Sequence, residues 1–166
     1  SIAIGRLAGS STQGQQSVAI GYTAGQINQG QNAVAIGIGS GNQTQGVNSI
    51  AIGLSAGSIN QGNSGVAVGN NAGISNQGAN AIAIGQNAGQ TNQGNFAVAI
   101  GERAGYGNDT AQGQYSVAIG ARAGYNSQAE YSIAINASGN NLDPSNPGLY
   151  IDPIRNDNTV GGNVTV

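Results

Sequence analysis

The side chains in this sequence that could take part in chemistry are few and lie mostly in its last third. His, Cys and Lys are absent, and of the ten charged residues only Arg6 precedes residue 102. Without imidazole or thiolate groups, a zinc site or a His- or Cys-based catalytic centre cannot be built. The carboxylates of Glu102 and Asp109 are too few to propose a hydrolase. We therefore predict no catalytic residue, no cofactor and no metal, and we predict that the protein is not an enzyme.

Aromatic side chains are the other group that could contact a ligand. Four of the six Tyr lie between residues 106 and 131, where a short insertion interrupts an otherwise regular repeat. Insertions in repeat proteins form loops on one face, which is often the binding face. Stacked rings beside amides could bind a glycan, although the aromatics could instead pack the end of the domain against a following one. The candidate ligand surface comprises Phe96, Tyr106, Asn108, Asp109, Thr110, Tyr115, Tyr125 and Tyr131.

Charge and hydropathy exclude two classes of partner. The net charge of −2, with only four Arg, provides no basic surface for nucleic acid or anionic lipid. The longest apolar run without glycine is residues 96–100, far short of the ~20 residues that a membrane helix needs. We therefore predict neither nucleic-acid binding nor membrane insertion. The hydrophobic content of 38% argues against disorder because it is patterned.

That pattern is a regular repeat. The opening phrase Ser-Ile-Ala-Ile-Gly recurs nine times at a spacing of 16, with one spacing of 19. Its copies begin at Ser1, Ser17, Ala33, Ser49, Gly65, Ala81, Ala97, Ser116 and Ser132. If Ser1 is repeat position one, positions two and four hold only Ile or Val and position three is always Ala. Position five is Gly except at Asn136, position nine is Gly from Gly9 to Gly124, and position thirteen is Gln in eight copies.

These positions predict the fold. β-Branched residues at alternate positions form a short strand, and the glycines on either side form turns. One such strand buries little alone, but identical coils can stack on one another. We therefore predict an all-β fold, a parallel β-solenoid (β-roll) of about nine 16-residue rungs over residues 1–139, with Gln side chains bonding one another along it. Residues 140–166 are expected to form a C-terminal cap or neck that leads to a further domain.

The small side chains of each strand predict an interface. Positions two and four are large and are expected to point into the coil, whereas positions one and three are Ser, Ala or Gly and are expected to point outward. Small residues permit the close approach of another surface, so we predict self-association with closed symmetry. The alternative is that the Ala residues pack on the second segment of their own rung. The predicted interface residues are Ala3, Ala19, Ala35, Ala51, Ala67, Ala83, Ala99, Ala118 and Ala134.

Two parts of the sequence resemble known families. Ser-Val-Ala-Ile-Gly followed by Ala-Gly, as at residues 17–25 and 116–124, resembles the head repeats of YadA-like trimeric autotransporter adhesins. The resemblance covers about residues 1–135 and implies a left-handed roll and a homotrimer, although the adhesin repeat is typically slightly shorter than this one. Residues 148–155 resemble a segment that follows such repeats in tail-fibre proteins of bacteriophages and large viruses. This second resemblance implies a location on a virion.

Together these features predict a structural and adhesive fibre segment. The rod would present a binding face for a host-surface receptor or glycan, outside a cell or on a virion. Two alternatives remain open from the sequence. One is an ice-binding solenoid, because position twelve runs through regularly spaced Thr and Asn. The other is a self-polymerising extracellular fibril, in which exposed rung edges add end to end.

Overall fold

The chain forms an all-β parallel solenoid, as the repeat predicts. A computed structural model describes residues 1–107 and 111–154, and every regular element among them is a strand. The strands are β1 (Ile2–Ile4), β2 (Ser11–Gln13), β3 (Val18–Ile20), β4 (Ile27–Gln29), β5 (Val34–Ile36), β6 (Gln43–Gln45), β7 (Ile50–Ile52), β8 (Ile59–Gln61), β9 (Val66–Val68), β10 (Ile82–Ile84), β11 (Val98–Ile100), β12 (Val117–Ile119), β13 (Ser132–Asn136) and β14 (Gly148–Asp152).

The strands pair in parallel with equivalent repeat positions side by side. One sheet has ten strands in the order β1-β3-β5-β7-β9-β10-β11-β12-β13-β14, and a second has four in the order β2-β4-β6-β8. Ala67 pairs with Ala83 across the regular spacing, and Ala99 pairs with Ala118 across the longer one. The register of the ten-stranded sheet is therefore kept across the longer spacing.

The sheet contains a tenth strand that the sequence pattern did not reveal. Strand β14 pairs with β13 in the same parallel register, with Ser132 opposite Gly148. Its sequence, Gly-Leu-Tyr-Ile-Asp, is a degenerate copy of the repeat phrase, with Leu149 and Ile151 at positions two and four and Tyr150 at the alanine position. The stack of strands thus continues past residue 139, up to Asp152.

The interior of the coil is lined by alanine, and the predicted orientation of the strands is wrong. Eight of the nine position-three alanines are fully buried within the single chain, and only Ala3 in the first rung is exposed. They pack against a second column at position eight that includes Ala56, Ala72 and Ala88. None of the eighteen Ile and Val side chains at positions two and four is buried. The space between the two halves of each rung is filled by these alanines and by the Gln side chain at position thirteen, so the branched side chains point outward.

Glutamine fills the rest of the interior. Each position-thirteen Gln donates from Nε2 to the carbonyl oxygen of position two in its own rung, at 2.8–2.9 Å in all eight rungs. Gln61 also donates to Gln77 Oε1 at 3.1 Å, and Gln77 donates to Gln93 Oε1 at 3.2 Å. The predicted ladder of amides is therefore present in part, from Gln61 to Gln93 and from Gln112 to Gln128, and it runs through the interior of the coil. The bond to the position-two carbonyl ties the two sides of each rung together. A buried, paired amide stabilises a fold, whereas an unpaired one destabilises it.

Glycine at position nine leaves space for that glutamine. Gly57 has φ +52°, and a Cβ placed on it would lie 2.7 Å from Gln61 Cδ. The recurrent Gly is therefore explained both by its left-handed backbone and by the Gln that follows in the same rung. Residues other than glycine also adopt left-handed φ at positions seven, twelve and sixteen, as at Asn71, Asn60 and Asn80. These columns are rich in Asn, the residue that tolerates this conformation best after Gly.

Enlarging an interior alanine should destabilise the single chain. We predict that Ala67→Leu lowers the free energy of unfolding by about 1–3 kcal/mol or more, because three added carbons have no space in a packed interior. Thermal unfolding followed by circular dichroism measures this change. The matched control is Asn70→Leu, since Asn70 is exposed at position six, where neighbouring rungs already carry Ile38 and Leu54. An Ala67→Leu protein that is as stable as the control would contradict an alanine-lined interior.

Candidate ligand surface and subunit interface

Three aromatic side chains form a continuous stack on one edge of the rod. Phe96, Tyr115 and Tyr131 occupy position sixteen of consecutive rungs, and all three have φ between 54° and 58°. The ring centroids of Phe96 and Tyr115 are 5.0 Å apart with an interplanar angle of 4°. Those of Tyr115 and Tyr131 are 5.4 Å apart at 8°. The predicted aromatic stack is therefore present, and all three side chains are exposed. We call these three residues the aromatic edge.

A second stack lies at position ten. The rings of Tyr106 and Tyr125 have centroids 5.2 Å apart and an interplanar angle of 6°. Both side chains are half-buried. Position ten and position sixteen lie at opposite ends of the second segment of the rung, so the two stacks do not form one surface. The structure thus divides the predicted aromatic residues between two places.

The stacking decides which part of each ring a ligand can reach. Within a parallel stack the ring faces cover one another, and only the ring edges, the hydroxyls and the two end faces stay accessible. Our expectation that ring faces contact sugar C–H groups therefore applies only to the ends of each stack. The edge of an aromatic ring carries the positive part of its quadrupole. These stacks consequently favour ligands that present negative or hydrogen-bond-accepting groups.

The predicted loop residues Asn108, Asp109 and Thr110 lie outside the described residues. The segment that leads to them is anchored on the previous rung, because Thr91 Oγ1 donates to the carbonyl oxygens of Tyr106 at 3.2 Å and Gly107 at 3.3 Å. The insertion therefore starts directly after the tyrosine at position ten. Any contribution of these three residues to binding stays a prediction.

Charged side chains accompany the second stack. Arg103 Nε lies 3.7 Å from Glu102 Oε1, and Arg122 Nη1 donates to the carbonyl oxygen of Gly139 at 3.3 Å. Arg103 is therefore close to a carboxylate, whereas Arg122 contacts a neutral carbonyl. The Arg122 guanidinium contacts the segment that follows β13, in which Leu142 and not Gly139 pairs with Ala123 at position eight.

The Ile and Val side chains form the largest apolar feature of the surface. We call the side chains at positions two and four of the ten-stranded sheet the Ile/Val face. Ile84, Ile100 and Ile119 are 36–40% exposed in the single chain. The predicted interface through Ala3, Ala19, Ala35, Ala51, Ala67, Ala83, Ala99, Ala118 and Ala134 is corrected by this placement. Except for Ala3, these side chains have no exposed surface, so they cannot contact a neighbouring chain.

A polar ladder lies on the opposite side of the rung, at position twelve. Asn60 Nδ2 donates to Asn76 Oδ1, and Asn76 Nδ2 donates to Asn92 Oδ1, each at 3.0 Å. These amides are exposed but are bonded to one another along the rod. They are therefore less available to order water in an ice-like lattice, which weakens the ice-binding alternative.

The described part of the chain offers few sites of other kinds. Within residues 1–107 and 111–154, no three His, Cys, Asp or Glu side chains are grouped so that they could hold a metal ion. The same residues contain no helix with the length and hydropathy needed to cross a bilayer. Three features of the described residues could contact a partner. They are the stacked aromatics, the arginines at residues 103 and 122, and the Ile/Val face.

Comparison with known proteins identifies the repeat. The sequence matches the YadA head domain repeat family over residues 1–24, 29–56, 77–88 and 110–123, a little under half of the chain. The matched segments include six of the nine copies of the repeat phrase. Comparisons with curated proteins and with solved structures give no match. These segments are similar to the YadA head domain repeat, whose family consists of structural, non-enzymatic domains of surface-exposed adhesins.

Proposed function

We propose that this chain is a segment of an adhesive fibre in which three copies pack around a common axis through the Ile/Val face. The observation that carries the proposal is the partial or full exposure of all eighteen Ile and Val side chains in the nine regular rungs, while the alanines between them are buried. In a monomer, two unbroken columns of branched apolar side chains would remain exposed to water, which is unfavourable. Association that covers both columns removes this cost.

The sheet geometry supports the same conclusion. All-parallel sheets are almost always covered on both faces. The inner face here is covered by the second half of each rung, whereas the outer face carries only the Ile/Val face. Ten strands at a spacing of ~4.8 Å make this apolar stripe about 40 Å long. A stripe of that length along the rod fits copies that lie side by side around a closed axis. The YadA head repeat, which forms trimers in adhesins, makes three copies the expected number.

A trimer of this kind would display the remaining surface as a rigid rod. We place the ligand surface between residues 96 and 131, a range that contains both aromatic stacks, half of the charged residues and the insertion in the repeat. Binding patches need mixed chemistry on a rigid support, and the rungs before residue 96 carry only one charged side chain, that of Arg6. The proposed ligand is a receptor or glycan on a host surface. The proposed location is outside the cell, on a cell or virion, and the resemblance of residues 148–155 to viral fibres favours the virion.

The trimer can be tested on the intact chain. Light scattering should give a native mass of three chains. The variant Ile84→Asp should shift the mass toward the monomer, because the 39% of the Ile84 side chain that is exposed in the single chain would be covered in the trimer, which contributes about 2–4 kcal/mol over three chains. Its circular dichroism at low temperature should still show β-structure, since the interior of each rung is untouched. Asn70→Asp, on the solvent side of the same coil, adds the same charge and should leave the mass unchanged. A folded monomer of the unaltered chain would contradict the trimer.

The ligand surface requires a binding measurement. We expect the chain to bind components of a glycan array, and we expect binding to be lost when Tyr106 and Tyr125 are changed to Ser and residues 107–110 are deleted. The deletion brings the rung close to its regular length, so the sheet should tolerate it. Tyr22→Ser, which removes an exposed Tyr at position six of another rung, serves as the control. If both variants are trimers and bind as the unaltered chain does, the ligand surface lies elsewhere.

A further inference from the structure

The tetrapeptide Arg-Ala-Gly-Tyr occurs twice, at residues 103–106 and 122–125. The two copies occupy positions seven to ten of adjoining rungs, because β11 and β12 are paired in register. The remaining rungs carry neither Arg at position seven nor Tyr at position ten. In each copy the Ala and the Gly are buried, and the Gly has a left-handed φ of 54° or 60°. We call Arg103, Arg122, Tyr106 and Tyr125 the Arg–Tyr corner, because each Arg and its Tyr flank that turn.

The backbone holds the two copies in parallel. Arg103 and Arg122 have φ of 54° and 59°, and the Arg122 amide donates to the Glu102 carbonyl at 3.0 Å. The two arginines therefore leave the rod one rung apart, at a spacing of ~4.8 Å. Each Arg is three positions before its Tyr, so their Cα atoms are at most about 11 Å apart. The four side chains thus begin from a patch of about 5 Å by at most about 11 Å.

The charge of this patch is positive. Two guanidinium groups at a one-rung spacing repel each other, and an anion placed between them would remove that repulsion. Among the described residues, the carboxylate that pairs with them is Glu102, which is 3.7 Å from Arg103 and 53% exposed. Arg122 contacts a neutral carbonyl. The chain as a whole has a net charge of −2, so this local excess of positive charge is a departure from its surroundings.

The two tyrosines add hydrogen-bond donors that, like the guanidinium groups, favour a negatively charged or hydrogen-bond-accepting ligand. Because the rings of Tyr106 and Tyr125 face each other at 5.2 Å, a ligand beside the stack meets ring edges and hydroxyls. The ring edge is the positive part of the aromatic quadrupole, and the hydroxyl can donate or accept a hydrogen bond. A neutral sugar that binds by packing on a ring face finds few exposed ring faces in this arrangement. A ligand that combines negative groups with hydroxyls fits both the guanidinium groups and the phenols.

We infer that the Arg–Tyr corner binds an acidic glycan, whose carboxylate or sulfate groups are received by Arg103 and Arg122 and whose hydroxyls bond to Tyr106 and Tyr125. The inference rests on the proposed adhesive function and names the chemical class of its ligand. Two guanidinium groups per chain are too few for a polyphosphate such as nucleic acid. The patch is also longer than a single inorganic anion, so a sugar polymer is the ligand that uses all four side chains.

Binding to three immobilised polymers tests this inference: a polyuronate for carboxylate groups, dextran sulfate for sulfate groups, and neutral dextran. The intact chain should bind at least one acidic polymer and not neutral dextran, and the two acidic arms distinguish the anionic group. The double variant Arg103→Gln, Arg122→Gln should bind about tenfold more weakly or worse, since two charge-assisted contacts are lost. The matched control Arg6→Gln, Arg155→Gln has the same net charge and should stay within about twofold of the unaltered chain.

The phenol contacts have their own variant. Changing Tyr106 and Tyr125 to Phe keeps the ring stack and removes both hydroxyls, so we expect weaker binding with unchanged thermal unfolding. Native mass and circular dichroism confirm that each variant is folded and assembled.

Three results would overturn the inference: equal binding to neutral dextran, equal loss in the Arg6 and Arg155 control, or no binding to either acidic polymer. If the chain still binds a glycan array through residues 96–131 in any of these cases, the adhesive function survives and only the acidic ligand is rejected.

Discussion

The narrow space between the two halves of each rung is the constraint on which the rest of the structure depends. In the regular rungs it admits Ala at positions three and eight and one extended Gln amide, and no Ile or Val side chain at positions two or four is buried in it. Gly at position nine is required because the Gln side chain of the same rung occupies the place of a Cβ, as at Gly57. With the interior so thin, the large apolar residues can only lie outside. The coil therefore places its large apolar side chains on its surface, and the proposed trimer rests on that placement.

Stacking in register explains why much of the molecule could be predicted from the sequence. Once identical rungs lie on one another, residues at the same repeat position must become neighbours. The parallel sheet, the Gln ladder and the stack of Phe96, Tyr115 and Tyr131 all follow from the period alone. The tenth strand was missed because its phrase has degenerated. The spacing of this strand is still regular, because Gly148 follows Ser132 at the regular spacing of the repeat. A search by spacing rather than by residue type would have found it.

The direction of the strand side chains could not be read from the same pattern. Alternation separates a strand into two faces, but it does not say which face is enclosed by the coil and which by a neighbouring chain. Large residues are usually inside, and that rule led to the wrong orientation here. The signal that could have decided the question is the recurrent Gln at position thirteen. A Gln that recurs in eight of the nine rungs and has no charged partner can lie inside the coil, where its amide bonds to the backbone. Beside it only small side chains such as Ala then fit. The left-handed backbone at Phe96, Tyr115 and Tyr131 was likewise invisible, since aromatic residues rarely adopt it.

The same geometry connects the fold to its proposed use. Apolar columns joined around an axis would leave the polar sides of three coils facing outward, and any departure from the repeat would appear three times on the rod. Threefold presentation lets weak contacts bind firmly through multivalency, without a deep pocket. A surface of stacked rings and paired guanidinium groups suits that mode, because each rung can supply one modest contact to an extended ligand.

The central claim is that the alanine face is enclosed by its own chain and the Ile/Val face by other chains. Because the protein has no cysteine, single cysteines report on this without background. The measurement compares Ala83→Cys with Ile84→Cys under mild oxidation, followed by denaturing gel electrophoresis. We expect the cysteine at residue 84 to form disulfide-linked chains, and the cysteine at residue 83 to stay a monomeric thiol that reacts with a labelling reagent only after unfolding. Cross-linking through residue 83, with residue 84 remaining free, would contradict the account.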